Sequence, residues 1–547
     1  MKKILFFFVL LSAVAFSQAE YVPVTNRVYN FLDRMDVLHL ISNYNSFELP
    51  KTREEISIYL KEVISKKNYL DNIDKRILND LEIEFENELF GTLKNSQSLL
   101  GKGKYNIFSQ KEKYLYFYKK PKKLSLFINL LGNAETIATN VQNHSAGLGV
   151  IGGTIRGTLL GKVGFYLRGT DGTVFGNKET AKLRQDIKYN YKFNENNAFT
   201  FFDETQGYLT ADFNLLNFKI GRDRMEIGYG PVKAILGNDS PIFDYISMNI
   251  KYSFFTFSYF HGQLLGNNHF ASNPLTGGIE VVEQKYIGYH RIGFDISRNL
   301  DFGVGELIIY GNRPIDLSYL NPFSFYKSVE HANRDRDNSM LFFDYNNTAV
   351  KGLKLYGTFL IDDVTFGKLG TGWWGNQFMY NAGLLSSNLY GLIPLDLRLE
   401  YFRISPYVFT HRISNNNYTN FGYPLGPSLQ PNSESFYAQI NYRINYRLYF
   451  STGYTYTIHG ANPLNSNGSV KRNVGGNIHL GHRVFDSEST TFLDGAKEYL
   501  RKFTFSLSYE PFKEIFTKLN VYFLHNSLQN SISVKKAELF LSFSASF

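Results

Sequence analysis

The feature that most constrains the fold of this chain is a two-residue alternation of apolar and polar side chains. The last twelve residues, KAELFLSFSASF, show it most clearly, because Leu541, Phe543 and Phe547 alternate with serines and only Phe540 is out of step. A period of two predicts an extended strand, since successive side chains of a strand point to opposite faces. The chain is therefore predicted to end on an amphipathic strand whose last residue is aromatic.

The N-terminal stretch, MKKILFFFVLLSAVAFSQAE, has the layout of a secretory signal peptide. Lys2 and Lys3 form the positive region, residues 4–16 the apolar region, and residues 17–19 a small-x-small site that predicts cleavage before Glu20. An uncleaved anchor helix is the alternative, but the apolar run is short for a bilayer span of about 20 residues. We predict a signal peptide over residues 1–19 and an exported protein.

The composition suits a sheet with one apolar and one polar face. Aromatic residues make up 16% of the chain and charged residues 20%, and no apolar run of spanning length follows the signal. A helical membrane protein does not fit these values, whereas a membrane β-barrel requires aromatic girdles. A soluble array of β-sandwiches is the alternative, but no linker or internal repeat separates domains. The absence of cysteine excludes disulfides, lipid attachment at cysteine and thiolate metal sites.

A helical region precedes the strands. Between about residues 21 and 90, apolar side chains recur at helical spacing in three stretches, within 28–38, 56–64 and 73–85. Thr52 and Glu55 form a start signal for the second helix, because each side chain can bond the backbone amide of the other. We predict a small helical bundle over residues 20–100, packed on itself and on the sheet that follows.

From about residue 124 the strand candidates come in pairs joined by short connections, for example around Asn217, residues 251–252 and Gly391. Short turns of transmembrane barrels face the periplasm and long loops face outward. Counting back from the last strand gives about 18 antiparallel strands, with both barrel ends and the helical bundle in the periplasm. Residues 461–499 are predicted to be an outer loop, with two further strands as the alternative. The predicted architecture is an outer-membrane β-barrel over residues 101–547, preceded by the small N-terminal bundle.

The alternation also separates the lipid face from the barrel interior. In residues 395–401 the polar set is Asp396, Arg398 and Glu400, so the interior is predicted to be polar and charged. Charges of mixed sign mainly brace a barrel from within, and we interpret these three residues as scaffold, with a role in permeation as the alternative.

Four long loops are predicted to face outward, over residues 222–242, 311–338, 363–378 and 405–434, and they are rich in Tyr, Trp, Asn, Arg and Pro. Aromatic rings stack on sugar rings, while amides and guanidinium groups bond hydroxyls and acidic substituents. The candidate polysaccharide-binding residues are Trp373, Trp374, Arg334, Arg336, Tyr407, Arg412, Tyr418 and Tyr423. For either tryptophan alone, a place in an interfacial girdle is the alternative.

Several stretches carry a family resemblance: YVPVTNRVYNFLDRMDVLHLI, KTREEISIYL, GRDRMEIGYG, LGNDSPIFD, GELIIYGNRPIDLSYLNPFSF, DNSMLFFDY and FLIDD. In their order and spacing they resemble the capsule-assembly Wzi proteins of bacterial outer membranes. The resemblance implies an 18-stranded barrel with a helical bundle at its periplasmic end. It also implies a surface lectin that holds capsular or other extracellular polysaccharide at the cell surface.

Other classes of function have little support in the sequence. The stretch HANRDRDNS offers His331, Asp335, Asp337, Asn338 and Ser339 as an enzyme site, but neighbours within one loop are usually solvated. The histidines form no helical pair with a partnering carboxylate, so we expect no metal and no cofactor. Without Lys2 and Lys3 the chain has 56 basic and 49 acidic residues. That surplus suits acidic glycans or lipopolysaccharide phosphates, whereas export makes nucleic acid an unlikely partner.

We therefore predict a protein without enzymatic activity that binds polysaccharide. Its other expected partners are outer-membrane lipid, lipopolysaccharide and the β-barrel assembly machinery, which would pair with the terminal strand. A porin-like channel for small or anionic solutes is the alternative function, since about 18 strands can enclose a water-filled lumen.

Overall fold

A computed structural model describes residues 19–547 apart from 102, 122, 191–192, 194–199, 274, 276, 389–393 and 530–532. Most of the predicted signal peptide and the predicted turn at Gly391 lie outside the described residues. The α-helices are α1 (Val28–Val37), α2 (Arg53–Ser65), α3 (Asn72–Glu84), α4 (Glu86–Phe90), α5 (Lys178–Ala181), α6 (Gln185–Lys188), α7 (Leu317–Leu320) and α8 (Tyr326–Ala332). In the part of the chain that is described, none of the helices has the length and apolarity to cross a membrane.

Eighteen antiparallel strands form a closed barrel, as the alternation predicts. Their bounds are β1 (Leu124–Thr139), β2 (His144–Leu159), β3 (Val163–Gly176), β4 (Phe201–Asp212), β5 (Leu216–Asp223), β6 (Phe243–Tyr252), β7 (Phe255–Asn273), β8 (Gly277–Ser297), β9 (Leu300–Gly311), β10 (Asn338–Asn347), β11 (Leu353–Asp363), β12 (Gln377–Ser387), β13 (Leu395–Ile404), β14 (Ser433–Asn445), β15 (Leu448–Ala461), β16 (Ala496–Phe512), β17 (Ile515–Leu528) and β18 (Ser533–Ser546). The short strand Tyr116–Lys120 pairs with the start of β1. Residues 462–495 add no strand to the barrel, so the alternative of about 20 strands is wrong.

The barrel closes where β18 pairs with β1. Phe547 completes this seam, because its amide donates to the carbonyl of Leu130 at 2.9 Å and its carbonyl accepts from the amide of Leu130 at 2.7 Å. The terminal strand is therefore hydrogen-bonded to β1 as far as its last residue.

Deleting Phe547 should lower the amount of folded barrel, because the change removes two seam hydrogen bonds and the apolar end of the closing strand. The measurement is the heat-modifiable band of the folded barrel on a gel, with Ser546→Ala as the control. An undiminished folded band after the deletion would show that closure does not depend on this residue.

The long connections all lie at one end of the barrel, and the connections at the other end are short. The turns after β4 and β6 are short, as predicted, but they lie at residues 213–215 and 253–254 rather than at Asn217 and residues 251–252, which belong to β5 and β6. Long connections follow β3, β5, β9, β11, β13 and β15, and the β7–β8 hairpin extends beyond its neighbours. The sequence did not predict the connection at 177–200 or the extended hairpin. We call the end with the long connections the loop end and the other the turn end.

The helices α1 to α4 pack on one another at the turn end, around a core that includes Leu32, Leu60 and Leu81. The predicted start of α2 is present, since the hydroxyl of Thr52 accepts from the amide of Glu55 at 3.1 Å. The carbonyl of Val37, the last residue of α1, accepts from the amide of Gly352 in the β10–β11 turn at 2.8 Å. The bundle is thus attached directly to the barrel.

Buried ion pairs add to this attachment. Arg34 of α1 contacts Asp396 of β13 at 2.7 Å and Asp74 of α3 at 2.8 Å. Lys354 of β11 contacts Asp33 at 3.1 Å and Asp36 at 3.3 Å. The interior charges of the barrel wall are therefore used to hold the bundle.

The residues interpreted as scaffold have this kind of contact. Asp396 pairs with Arg34 and also with Arg443 of β14. Arg398 lies 3.8 Å from Asp33, and Glu400 accepts from the hydroxyl of Tyr356 at 2.6 Å. These contacts support the scaffold interpretation, because each of the three charges is used to bind another part of the protein.

The prediction of a polar interior is wrong for much of the barrel, which contains an apolar core. Two segments enter it from opposite ends and pair as short strands, Glu48–Leu49 from the bundle and Glu226–Ile227 from the β5–β6 connection. The ring of Phe47 lies 5.0 Å from that of Tyr229 and 6.0 Å from that of Phe342. The buried core continues through Ile235 and Leu425 to Ile478 near the loop end. Alternation along single strands could not reveal this, because segments outside the barrel strands supply 12 of the 28 buried residues of this core.

Candidate functional site

The connection at 405–432, between β13 and β14, turns inward. Tyr407 is 0% and Tyr418 1% exposed. The hydroxyl of Tyr418 donates to the carbonyl of Ile235 at 2.8 Å, and its ring stacks on Phe409 at 5.1 Å. Burial raises the pKa of both tyrosines. These two candidate binding residues therefore lie in the protein interior, where they support the surface rather than form it.

The two tryptophans lie over the loop end in a tryptophan cluster, which we define as Trp373, Trp374, Tyr407 and His482. The ring of Trp374 stacks on His482 with centroids 3.9 Å apart and planes 5° from parallel. Trp373 lies 5.5 Å from Trp374, and Tyr407 meets Trp374 edge-on at 5.7 Å. The Nζ atom of Lys368 lies 4.4 Å above the ring of Trp373. Trp373, Trp374 and His482 are half-buried, Tyr407 supports them from the interior, and the exposed Lys368 adds a cation beside the cluster.

Backbone contacts between two connections hold the tryptophans in place. The amide of Trp374 donates to the carbonyl of Glu488 at 3.0 Å, and the amide of Thr490 donates to that of Gly372 at 2.7 Å. These bonds join the β11–β12 connection to the long β15–β16 connection. The ring of Trp374 contacts that connection and the interior Tyr407, which does not suit a lipid-facing girdle position.

Three exposed arginines form a second group, the arginine cluster, which we define as Arg334, Arg336 and Arg412. The guanidinium of Arg412 donates to the carbonyl of Asp335, and Asn416 donates to the carbonyl of Arg336 at 2.8 Å. Among the described residues, no carboxylate lies within ion-pair distance of these three guanidinium groups. By contrast, Arg313 and Arg472 at the same end are paired. The arginine cluster therefore offers positive charge to an external anion.

The two clusters are adjacent in space. Gly481 precedes the stacked His482, and a Cβ atom at Gly481 would lie 2.5 Å from the carbonyl oxygen of His411 and 3.3 Å from the amide of Arg412. The close approach admits only glycine at this position. Burial lowers the pKa of His411 to about 4, so this histidine is neutral at pH 7. The positive charge of the surface therefore comes from arginine and lysine.

Tyr423 lies elsewhere on the loop end. Its hydroxyl donates to the carbonyl of Lys188 at 3.4 Å, and its ring lies 5.7 Å from that of Tyr189. These contacts attach it to the β3–β4 connection, so the structure does not bring it together with the tryptophan and arginine clusters.

Several members of this surface are not among the candidate residues predicted from the sequence. His482 and Lys368 contact the tryptophans, and Phe485 is 74% exposed beside Arg483 at 4.4 Å. The signal was present in GHRVFD at 481–486, where basic and aromatic residues adjoin as they do in the four selected loops. The sequence patterns predict this stretch only as part of an outer loop.

The residues considered for an enzyme site do not converge. Asp337 is bound by Arg313 and by the hydroxyl of Tyr319, Ser339 donates to Glu330, and the exposed His331 lies 3.8 Å from Asp335. Over the described ranges, no three His, Cys, Asp or Glu side chains are grouped so that they could hold a metal ion. The residues of this loop therefore have structural partners rather than a common reactive centre.

Comparison with known proteins gives the family. The model of the capsule assembly protein Wzi family matches residues 161–521. The chain belongs to this family. Its fold is that of an outer-membrane β-barrel of capsule assembly, as the resemblance implied. A comparison with curated protein sequences finds no match.

Among solved structures, the match to Wzi supports the fold. Wzi of Escherichia coli, an outer-membrane protein involved in group 1 capsule assembly and a carbohydrate-binding β-barrel, is 14% identical, with 96% of this chain and 99% of that chain covered and a TM-score of 0.58. Pseudomonas aeruginosa OpdK with vanillate is 10% identical, over 77% of this chain and 99% of that chain, with a TM-score of 0.44. OprD of the same organism is 10% identical, over 77% and 95%, with a TM-score of 0.44.

Proposed function

We propose that this protein is a surface lectin, which binds capsular or other extracellular polysaccharide and helps to assemble or retain it at the cell surface. The family supports a role in capsule assembly. The observation that carries the proposal is the contiguous surface of the tryptophan and arginine clusters at the loop end. Stacking and charge-assisted bonds together suit a polymer of sugar rings.

The charges of this surface favour an acidic polysaccharide. The arginine cluster has no carboxylate partner among the residues described, and Lys368 adds a fourth cation over Trp373. A guanidinium binds a carboxylate through two parallel hydrogen bonds. Sugars with acidic substituents would therefore fill positions that the protein leaves open.

The alternative of a porin-like channel is less favoured. The apolar core described above occupies the barrel interior from Val37 to Ile478. Such packing leaves little room for a continuous aqueous path, whereas it would hold the connections at the loop end rigidly.

The proposed function requires a defined orientation of the barrel in the outer membrane. The turn end with the bundle of residues 20–100 would face the periplasm after removal of residues 1–19, and the loop end of the barrel over residues 101–547 would face outward. Outer-membrane lipid and lipopolysaccharide would surround the barrel, and the assembly machinery would pair with β18.

The clusters can be tested separately. Trp373→Ala with Trp374→Ala should weaken binding to isolated acidic polysaccharide several-fold, since one stack contributes on the order of 1 kcal/mol. Cells should lose more capsule than this factor suggests, because a polymer engages many copies at once.

Changing Arg334, Arg336 and Arg412 to Gln should lower the affinity for an acidic polymer and reduce the dependence of that affinity on salt. The measurements are binding by the purified protein and capsule retained on cells.

Arg472→Gln is the matched control for the arginine cluster, because Arg472 is exposed at the same end but already paired with Asp494. Tyr423→Ala is the control for the tryptophans. Full retention by both cluster variants, at normal barrel level, would contradict the binding surface. Full retention after loss of the whole protein would contradict the lectin function.

A further inference from the structure

The connection between β9 and β10 does not stand above the barrel, because its first half packs on the outer face of the wall. We call residues 314–326 the wall segment. Leu307 and Ile309 of β9 belong to the interior core, so the alternate residues Glu306, Ile308 and Tyr310 face outward. Tyr310 and Tyr326 lie in a separate buried cluster on this outer face. The ring of Phe323 stacks on that of Phe257 at 5.2 Å, with planes 17° apart.

Outward polar groups of the barrel wall bind the backbone of the wall segment. The hydroxyl of Tyr259 donates to the carbonyl of Leu320 at 2.8 Å, and the amide of Tyr326 donates to Glu306 at 2.9 Å. The amide of Asp316 donates to the hydroxyl of Tyr310 at 3.2 Å. Polar groups on a lipid-facing wall are costly unless they are paired. Here wall and segment satisfy each other, which allows an irregular backbone to lie at this position.

The far side of the wall segment is apolar. Leu317 is 77%, Phe323 73% and Phe325 60% exposed. Its single charged residue, Asp316, is paired with Arg313 at 3.2 Å. The second half of the same connection, residues 327–337, is rich in charge. The connection is therefore divided into a part suited to hydrocarbon and a part suited to water.

An apolar groove of about 490 Å³ runs along the outer wall to the wall segment. Its floor follows one row of paired residues across β3 to β7, Val163, Ala211, Phe218, Met248 and Tyr259. Pro322 of the wall segment closes the Tyr259 end. Four strand spacings of about 4.8 Å give the row a length of about 19 Å, which is the scale of one extended fatty acyl chain.

The open end of the groove lies beside basic residues of the turn end. Val163 is the first residue of β3 and follows Lys162 of the β2–β3 turn. The exposed Lys123 lies beside this turn, because its carbonyl accepts from the amide of Leu160 at 2.8 Å. An apolar groove that begins at lysines has the charge pattern of an anionic lipid.

We propose that the wall segment lies in the hydrocarbon of the bilayer and that the groove binds one acyl chain of an anionic phospholipid, whose headgroup lies at Lys123 and Lys162. The site is on the lipid face of the barrel and is separate from the polysaccharide-binding surface. It requires only that the barrel spans a membrane.

The immersion of the wall segment can be measured directly, because the chain has no cysteine. A spin label is attached to a single cysteine at Phe323 or at Leu317, with Asp335 in the water-suited half of the same connection as the control. In vesicles, labels at the first two positions should be reached by oxygen and shielded from a soluble nickel chelate, and the label at Asp335 should show the reverse. Equal access of the nickel chelate to the labels at all three positions would contradict the proposal that the wall segment lies in the bilayer.

Lipid binding is tested by native mass spectrometry of delipidated protein titrated with phosphatidylglycerol or phosphatidylcholine of the same acyl chains. One phosphatidylglycerol should bind several-fold more tightly than further copies, and Ala211→Trp should abolish this step by filling the groove. The control is Ala134→Trp, at an exposed alanine of β1. Met248→Trp fills the groove from a second strand and replaces Ala211→Trp if that variant lowers the barrel yield.

The position of the headgroup is tested separately. Lys123→Gln with Lys162→Gln should remove the preference for phosphatidylglycerol over phosphatidylcholine while a chain still binds. Unchanged binding in the groove-filling variants would overturn the acyl-chain site. An unchanged preference in the lysine variant would overturn the anionic headgroup.

Discussion

Replacing Lys354 with methionine should release the helical bundle from the barrel. The ammonium group, with its side chain 2% exposed, lies between Asp33 and Asp36 of α1. Removing one partner of a buried ion pair costs on the order of 3–5 kcal/mol, because the remaining charge stays buried without compensation. Limited chymotrypsin digestion of purified protein should then cut within residues 20–90, where the native bundle resists. Lys61→Met, at an exposed lysine of α2, is the control and should leave the bundle resistant.

The released state should respond to pH in a defined direction. Burial raises the pKa of Asp36 to about 6 even beside Lys354. The docked state thus favours the protonated acid, and loss of the lysine strengthens this preference. Bundle docking in Lys354→Met should therefore improve as pH falls from 8 to 5, and Asp36→Asn in the same chain should restore docking at pH 8. A bundle equally protected in Lys354→Met and in the native protein would contradict the role of this charge group.

Only the combined removal of the inserted segments should open the barrel. The intact protein should give no steady conductance in planar bilayers, because the segment around Phe47 and the inward parts of the β5–β6 and β13–β14 connections all contribute to one core. Removing residues 20–90 alone should leave it closed, since Ile235 and Tyr418 still fill the interior. Replacing 228–237 and 407–426 by short Gly-Ser linkers as well should give porin-scale conductance, as expected for 18 strands.

The control is a variant that carries the same two linkers but keeps residues 20–90. It should conduct less than the variant that lacks residues 20–90 as well, because Phe47 still fills part of the interior. Steady conductance of the intact protein would favour the channel function. If the variant with all three changes folds but does not conduct, the inserted segments are not what closes the barrel.

The β-barrel and its antiparallel pairing could be predicted from the sequence because they depend on local patterns. Alternation in KAELFLSFSASF gives a strand, and short connections between strand candidates give antiparallel hairpins, although the observed turn at 213–215 lies a few residues from the one predicted around Asn217. Thr52 and Glu55 mark a helix start through contacts three residues apart. Each of these signals lies within a few residues, so it is complete in the sequence.

The candidate surface was predictable only in part. Composition selected the loops that contain Trp373 and Arg334, but it gave Tyr407 and Tyr418 the same weight as the residues at the surface. A tyrosine in a connecting segment has the same local signal whether that segment turns inward or outward. For Tyr418, a hydrogen bond to Ile235, 183 residues away in the chain, decides the question.

The sequence by itself determined the strand pattern with a count of about 18, the helical region before the strands and the aromatic and basic character of the long connections. Only the tertiary structure decided which connections enter the barrel, which one lies on its outer wall, and that His482 stacks on Trp374. The physical reason is range. Strand and helix patterns come from backbone geometry within one segment, whereas the filling of a barrel depends on which distant segments together exclude water from its interior.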